Sequence, residues 1–180
     1  MSTFSPNEKA NLLCIARKAL ESYLNNGTIP RDELHDEFLT VKRGCFVSLK
    51  QNGALRGCIG NFMSNTSLYL LIREMAIAAA SKDPRFYPLS TDELPGVKIE
   101  ISVLSPLRKI DSIDEISIGE HGIYLEKNFC RGVLLPQVAV EYKWDRLTFL
   151  EQTCIKANLN RNDWKEDADI YIFSAEVFGE

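Results

Sequence analysis

Cys45-Phe46-Val47-Ser48-Leu49-Lys50-Gln51-Asn52-Gly53-Ala54-Leu55-Arg56-Gly57-Cys58-Ile59-Gly60 is a pair of strand-like runs around Asn-Gly. Cys45 to Lys50 is expected as one strand and Ala54 to Ile59 as its partner. Asn-Gly between two such runs is a strong hairpin signal, because a tight turn of the right hand needs positive φ at both positions. With a two-residue loop at Asn52-Gly53, Gln51 faces Ala54, Leu49 faces Arg56 and Val47 faces Cys58. Arg56 and Cys58, two residues apart, then share one face of the strand.

Working outward, Val97 to Leu104 alternates apolar and polar residues as a half-buried strand does. Gly122 to Glu126 and Gly132 to Leu135 read as strands paired around a turn near Lys127-Asn128. Asp169 to Phe178 reads as one last strand, with Tyr171, Phe173, Ala175 and Val177 on one face. Helices are expected between these strands. Ser5-Pro6-Asn7-Glu8 combines a capping serine, a proline at the first helical position and the glutamate of a capping box. The helix it starts carries Leu12, Leu13, Ala16, Ala19, Leu20, Tyr23 and Leu24 at helical spacing and stops at Asn26-Gly27. Ser67 to Ser81 repeats the pattern with Leu68, Leu71, Ile72, Met75 and Ala79. Thr148 to Asn158 is also helical in character. Strands pair locally and helices intervene singly, so the fold class is α+β with mainly antiparallel sheets. No repeat or linker interrupts residues 1–180, so the chain reads as a single unit whose lobes, if any, pack tightly.

The 180 residues are 45% hydrophobic and 26% charged, with a net charge of -4 and a pI near 5.3. That acidic balance, with scattered Lys and Arg, argues against a nucleic-acid partner, since such proteins usually carry a basic face. The polar stretch Met1 to Lys9 is unlike a signal peptide, and no apolar run is long enough to span a bilayer. Cys14, Cys45, Cys58, Cys130 and Cys154 are odd in number and form no CxxC, and His35 and His121 are the only histidines. This spacing suggests neither a disulfide framework nor a metal site, and no cofactor is called for. Free thiols fit the cytoplasm.

The site-like segment is Leu55-Arg56-Gly57-Cys58-Ile59-Gly60. A guanidinium beside a thiol favours the thiolate, and Gly57 and Gly60 permit a ligand to approach the backbone. Arg56, Gly57, Gly60 and Arg85, the last in a loop stiffened by Pro84 and Pro88, are the candidate ligand-binding residues. Cys58 is the candidate nucleophile, and His121 is the candidate base that would activate it. The competing reading is a buried structural cysteine among glycines needed for packing, with Val47 and Leu49 opposite. Arg85 serves equally as an ion-pair partner of Asp83 or Glu100, and His121 as an ordinary hydrogen-bonded side chain. Tyr142 and Trp144 read as core in preference to a ligand wall.

Several blocks together resemble the AMMECR-type domain family. They are the LRGCIG hexapeptide at 55–60, Asp83-Pro84-Arg85-Phe86 with Pro88-Leu89-Ser90, and Ile99 to Pro106. Ile118-Gly119 with His121-Gly122, Arg131 to Ala139, Trp144-Asp145 and Phe173 to Phe178 complete the series. Cys45 and Cys130 depart from the family pattern. The resemblance implies an α+β fold of two sub-structures with a groove between them, and a link with radical-SAM and Memo-type proteins. It carries no established activity. Three functions follow as expectations: a small-molecule or thiol-dependent groove centred on Cys58, a non-catalytic protein-binding adaptor, and, last, a role beside RNA modification.

Overall fold

The computed structural model describes residues 4–31 and 33–180. Of the polar lead Met1 to Lys9, Met1 to Thr3 lie outside the described residues. In chain order the elements are α1 (Pro6–Asn26), α2 (Glu37–Thr40), β1 (Cys45–Gln51), β2 (Ala54–Asn61), α3 (Leu68–Ser81), β3 (Val97–Leu104), β4 (Arg108–Lys109), β5 (Gly122–Lys127), β6 (Cys130–Leu134), α4 (Pro136–Glu141), α5 (Arg146–Lys156), β7 (Asp169–Phe173) and β8 (Ala175–Gly179). They form two units, one ending at Leu104 and completed by Glu176–Glu180, the other running from Ser105 to Ala175. The expected α+β class with antiparallel pairing is what is found.

In the first unit the sheet order is β2-β1-β3-β8. Cys45, Val47 and Leu49 on β1, with Val97, Ile99, Ile101 and Val103 on β3, point to one face and are buried. α3 covers that face, and α1 packs on α3. α1 begins as its sequence dictates: the Ser5 hydroxyl accepts from the Glu8 N–H, and the Glu8 carboxylate accepts from the Ser5 N–H at 2.7 Å. It ends at Gly27, whose φ of 66° is left-handed. α3 is buried on more than the predicted stripe, since Ala76, Ile77, Ala78 and Ala80 join Leu68, Leu71, Ile72, Met75 and Ala79 inside. Each fully buried aliphatic side chain contributes about 1.5–3 kcal/mol.

The hairpin forms where expected, with φ of 52° at Asn52 and 79° at Gly53. Its register differs beyond the turn. Gln51 pairs with Ala54 and Lys50 with Leu55, and then the ladder shifts, setting Leu49 opposite Gly57, Ser48 opposite Cys58 and Val47 opposite Ile59. Arg56 is the extra residue of a β-bulge. The cause lies in packing: a Cβ on Gly57 would sit 2.1 Å from the Ala79 carbonyl oxygen, so α3 approaches the strand only over a glycine. Cys58 therefore faces Ser48 on the side of the sheet away from α3, and the expected opposition to Val47 is replaced. Cys45, on the α3 side, pairs with Asn61.

The second unit has the sheet order β4-β7-β5-β6. Ile123 and Leu125 of β5 and Ile170 and Ile172 of β7 pack with Phe149, Leu150 and Cys154 of α5. Asp145 caps α5 by accepting from the Thr148 N–H at 2.8 Å. Gly132 lets β6 close on α5, because a Cβ there would lie 2.5 Å from the Thr153 carbonyl oxygen. The single last strand expected over Asp169 to Phe178 is two strands. β7 belongs to this sheet and β8 to the other, and the chain changes sheets at Ser174. Ile170 and Ile172 face the core, so Tyr171 is on the opposite side. Trp144 packs against this core, whereas Tyr142 is 65% exposed and stacks on the Trp144 ring at 4.9 Å. Among the described residues no helix is long and apolar enough to cross a membrane.

Candidate functional site

β2 is an edge strand, which leaves alternate backbone groups without a ladder partner. At Cys58 these groups are met by a loop. The Cys58 N–H donates to Asp83 Oδ2 at 2.8 Å, and an Arg85 terminal nitrogen donates to the Cys58 carbonyl at 3.4 Å. Asp83, only 5% exposed, also accepts from the Arg85 N–H at 3.1 Å, from Arg85 Nε at 2.9 Å and from the Arg85 terminal nitrogen at 2.7 Å. The Arg85 side-chain hydrogen bonds, aided by the Cys58 and Arg85 N–H groups, hold the Asp83 carboxyl well below its usual range against the opposing effect of burial. Arg85 is raised in turn, first by Asp83 and, as a lesser cause, by the Cys58 sulfur.

The Cys58 side chain is half-buried. The Ser48 hydroxyl donates to its sulfur at 3.2 Å and fixes its direction. On the same face Lys50 pairs with Glu100 at 2.7 Å. Glu100, one of the two ion-pair partners expected for Arg85, is half-buried in this pair with Lys50 instead.

Arg56, expected to act on the thiol, is held elsewhere. Its Nε and a terminal nitrogen grip the two Glu93 oxygens at 2.8 and 3.0 Å, and its other terminal nitrogen donates to the Tyr87 carbonyl at 3.0 Å. Arg56 lowers Glu93 to about 2, with help from the Ser90 N–H. Arg56 and Asp83 thus strap the 83–93 loop to the LRGCIG strand at two points. The glycines are explained by packing: α3 fills the space at Gly57, and the Phe46 ring would lie 2.2 Å from a Cβ at Gly60.

Arg56, Gly57, Cys58, Gly60 and Arg85 all belong to the first unit, and His121 to the second. His121 Nδ1 lies 3.1 Å from both the Ser117 N–H and the Glu115 carbonyl, of which a neutral ring serves one at a time. It ties the loop ahead of β5. Ser48 was not singled out from the sequence, and Asp83 was named there only as an ion-pair partner of Arg85, which it is. Ser48 emerges only once the bulge is known, and the Asp83 bond to Cys58 spans 25 residues and has no local signature. Among the described residues no cluster of His, Cys, Asp and Glu suited to a metal ion is found.

The fold and this strapped hairpin define a two-sheet α+β protein built around an LRGCIG edge strand. The AMMECR1 family profile matches residues 13–178, and the chain belongs to that family. A Methanosarcina barkeri protein is 40% identical over 92% of this chain and 87% of its own length. A Methanopyrus kandleri protein is 41% identical over 94% and 86% respectively. The crystal structure of an uncharacterized Pyrococcus horikoshii protein superposes with a TM-score of 0.80 at 38% identity, covering 94% of this chain and 90% of that one.

Proposed function

We propose that the protein works through a small-molecule site on the face of the first sheet that carries Cys58, with the thiol touching the recognised or reacting atom. The observation that carries this reading is the Ser48–Cys58 contact at 3.2 Å on the face away from α3. A cysteine kept only for packing belongs on the other face, among Cys45, Val47 and Leu49. Arg85, with a side chain 56% exposed beside Cys58, replaces Arg56 as the cation of the site. The proposal includes a cytoplasmic setting, where thiols stay reduced, and action beside radical-SAM and Memo-type proteins, as the resemblance implies. Untargeted metabolite capture by the purified protein, repeated with Cys58→Ser, tests it. Capture that survives the substitution unchanged removes Cys58 from the site.

A second reading, a non-catalytic adaptor, draws on Leu55 and Tyr87, which are 41% and 90% exposed beside the strapped strand. It gains ground if Cys58 proves inert in the folded protein.

A further inference from the structure

Two residues along the hairpin from Ser48, the same face of the sheet carries an arrangement that packing does not explain. Lys50 on β1 stands directly opposite Lys98 on β3. Like charges directly opposite each other in a sheet are destabilising. Lys50 is offset by Glu100. Among the described residues no ion pair is found for Lys98, which is exposed. Both lysines line a cleft of about 370 Å³ together with Asn52, Gly53, Gly96 and Glu100. Glu180 also borders the cleft, but its carboxylate is gripped by Arg17 and accepts from the Ile99 N–H. With Lys50 paired to Glu100 and the Glu180 side chain to Arg17, Lys98 is the charged side chain of the cleft for which, among the described residues, no counter-charge is found.

We infer that this cleft seats the anionic group, a carboxylate or a phosphate, of a small molecule whose recognised carbon lies at Cys58; the inference rests on the thiol-site reading above. Strand rise and spacing put the Lys50 and Lys98 Cα atoms about 8 and 12 Å from that of Cys58. Ser48 lies between. The ligand class is therefore a short chain with an anion at one end and an electrophilic or polar carbon at the other. The volume falls within the range of about 300–1,000 Å³ usual for small-molecule sites. An anion between them offsets the Lys50–Lys98 repulsion.

The test compares 6-maleimidohexanoate with its uncharged amide, 6-maleimidohexanamide, by peptide-resolved labelling of the folded full chain. The exposed Cys14 in the same sample reports the general field of the protein. The acid is expected to label Cys58 about fivefold faster than the amide after normalisation to Cys14, the size one charge–charge contact has in water. Lys98→Gln is expected to bring that ratio to about one while leaving the amide rate unchanged, and to raise the melting temperature by removing the repulsion. Loss of the acid's rate advantage in inorganic phosphate at constant ionic strength assigns the site to phosphates; loss in acetate alone assigns it to carboxylates. A ratio near one in the parent protein, or a ratio that survives Lys98→Gln, overturns the inference and leaves the thiol site standing. If neither reagent labels Cys58, the thiol reading itself fails and this inference falls with it.

Discussion

The Cys58 N–H donates to a buried oxygen of Asp83, 25 residues further along the chain, at 2.8 Å. A side chain here does the work of a neighbouring strand, closing the edge of β2 at the cysteine. Asp83 thereby fixes the strand that carries the candidate thiol and the guanidinium beside it.

Asp83→Ala is accordingly expected to cost about 1–3 kcal/mol, the price of leaving buried donors unpaired. Hydrogen exchange at the Cys58 amide should accelerate in step. A melting curve within 0.5 kcal/mol of the parent would show that water replaces the carboxylate without loss.

Cys58 should alkylate with iodoacetamide in the folded protein faster than Cys45. Cys45 is 0% exposed, and burial pushes its thiol up to about 12. Cys14, although beside the apolar stripe of α1, is exposed, so Cys45 is the slow reference. Cys58→Ala should change stability by about 1 kcal/mol or less, as for substitutions outside the core. Labelling of Cys58 only after denaturation would mark it as structural.

Gly57→Ala is expected to destabilise by about 1–3 kcal/mol or more, because the added Cβ must displace the α3 backbone. Chemical denaturation measures this directly. An unchanged midpoint would mean that the bulge at Arg56 can relax and that α3 does not hold the register.

The strap should weaken in acid. Glu93 titrates at about 2 in the folded protein against an ordinary 4.5. A lowered carboxylate stabilises fully above its unfolded value and loses that contribution as pH falls through the folded one. Stability should therefore decline between about pH 4.5 and 2, with Asp83, shifted in the same direction, adding to the fall. Glu93→Gln should flatten this slope in melting temperatures recorded across that range. A slope unaltered by the substitution would assign the acid sensitivity to other carboxylates.

The sequence carried the hairpin because Asn52-Gly53 determines its turn by local chemistry alone. It did not carry the register beyond Lys50, which is decided by how closely α3 can approach over Gly57. Apolar alternation likewise ran on through Ser174 and gave one strand where there are two, since a change of sheet leaves the local pattern intact. The LRGCIG segment stood out as a candidate by its residue types. The partners of Arg56 were not, because Glu93 is 37 residues away and reaches it through tertiary structure. The α1 capping box, closed within four residues, was legible in full.

The passage of the chain at Ser174 also sets a timetable for synthesis. β3 is complete at Leu104, but its second neighbour, β8, is made only after the 70 residues from Ser105 to Ser174. At 5–20 residues per second the ribosome needs about 4–14 s for that interval. Throughout it the nascent first sheet offers the free backbone of β3 to any passing strand. Lys98 and Glu100 along that strand are charged, as suits a margin that must stay unattached until its own partner emerges.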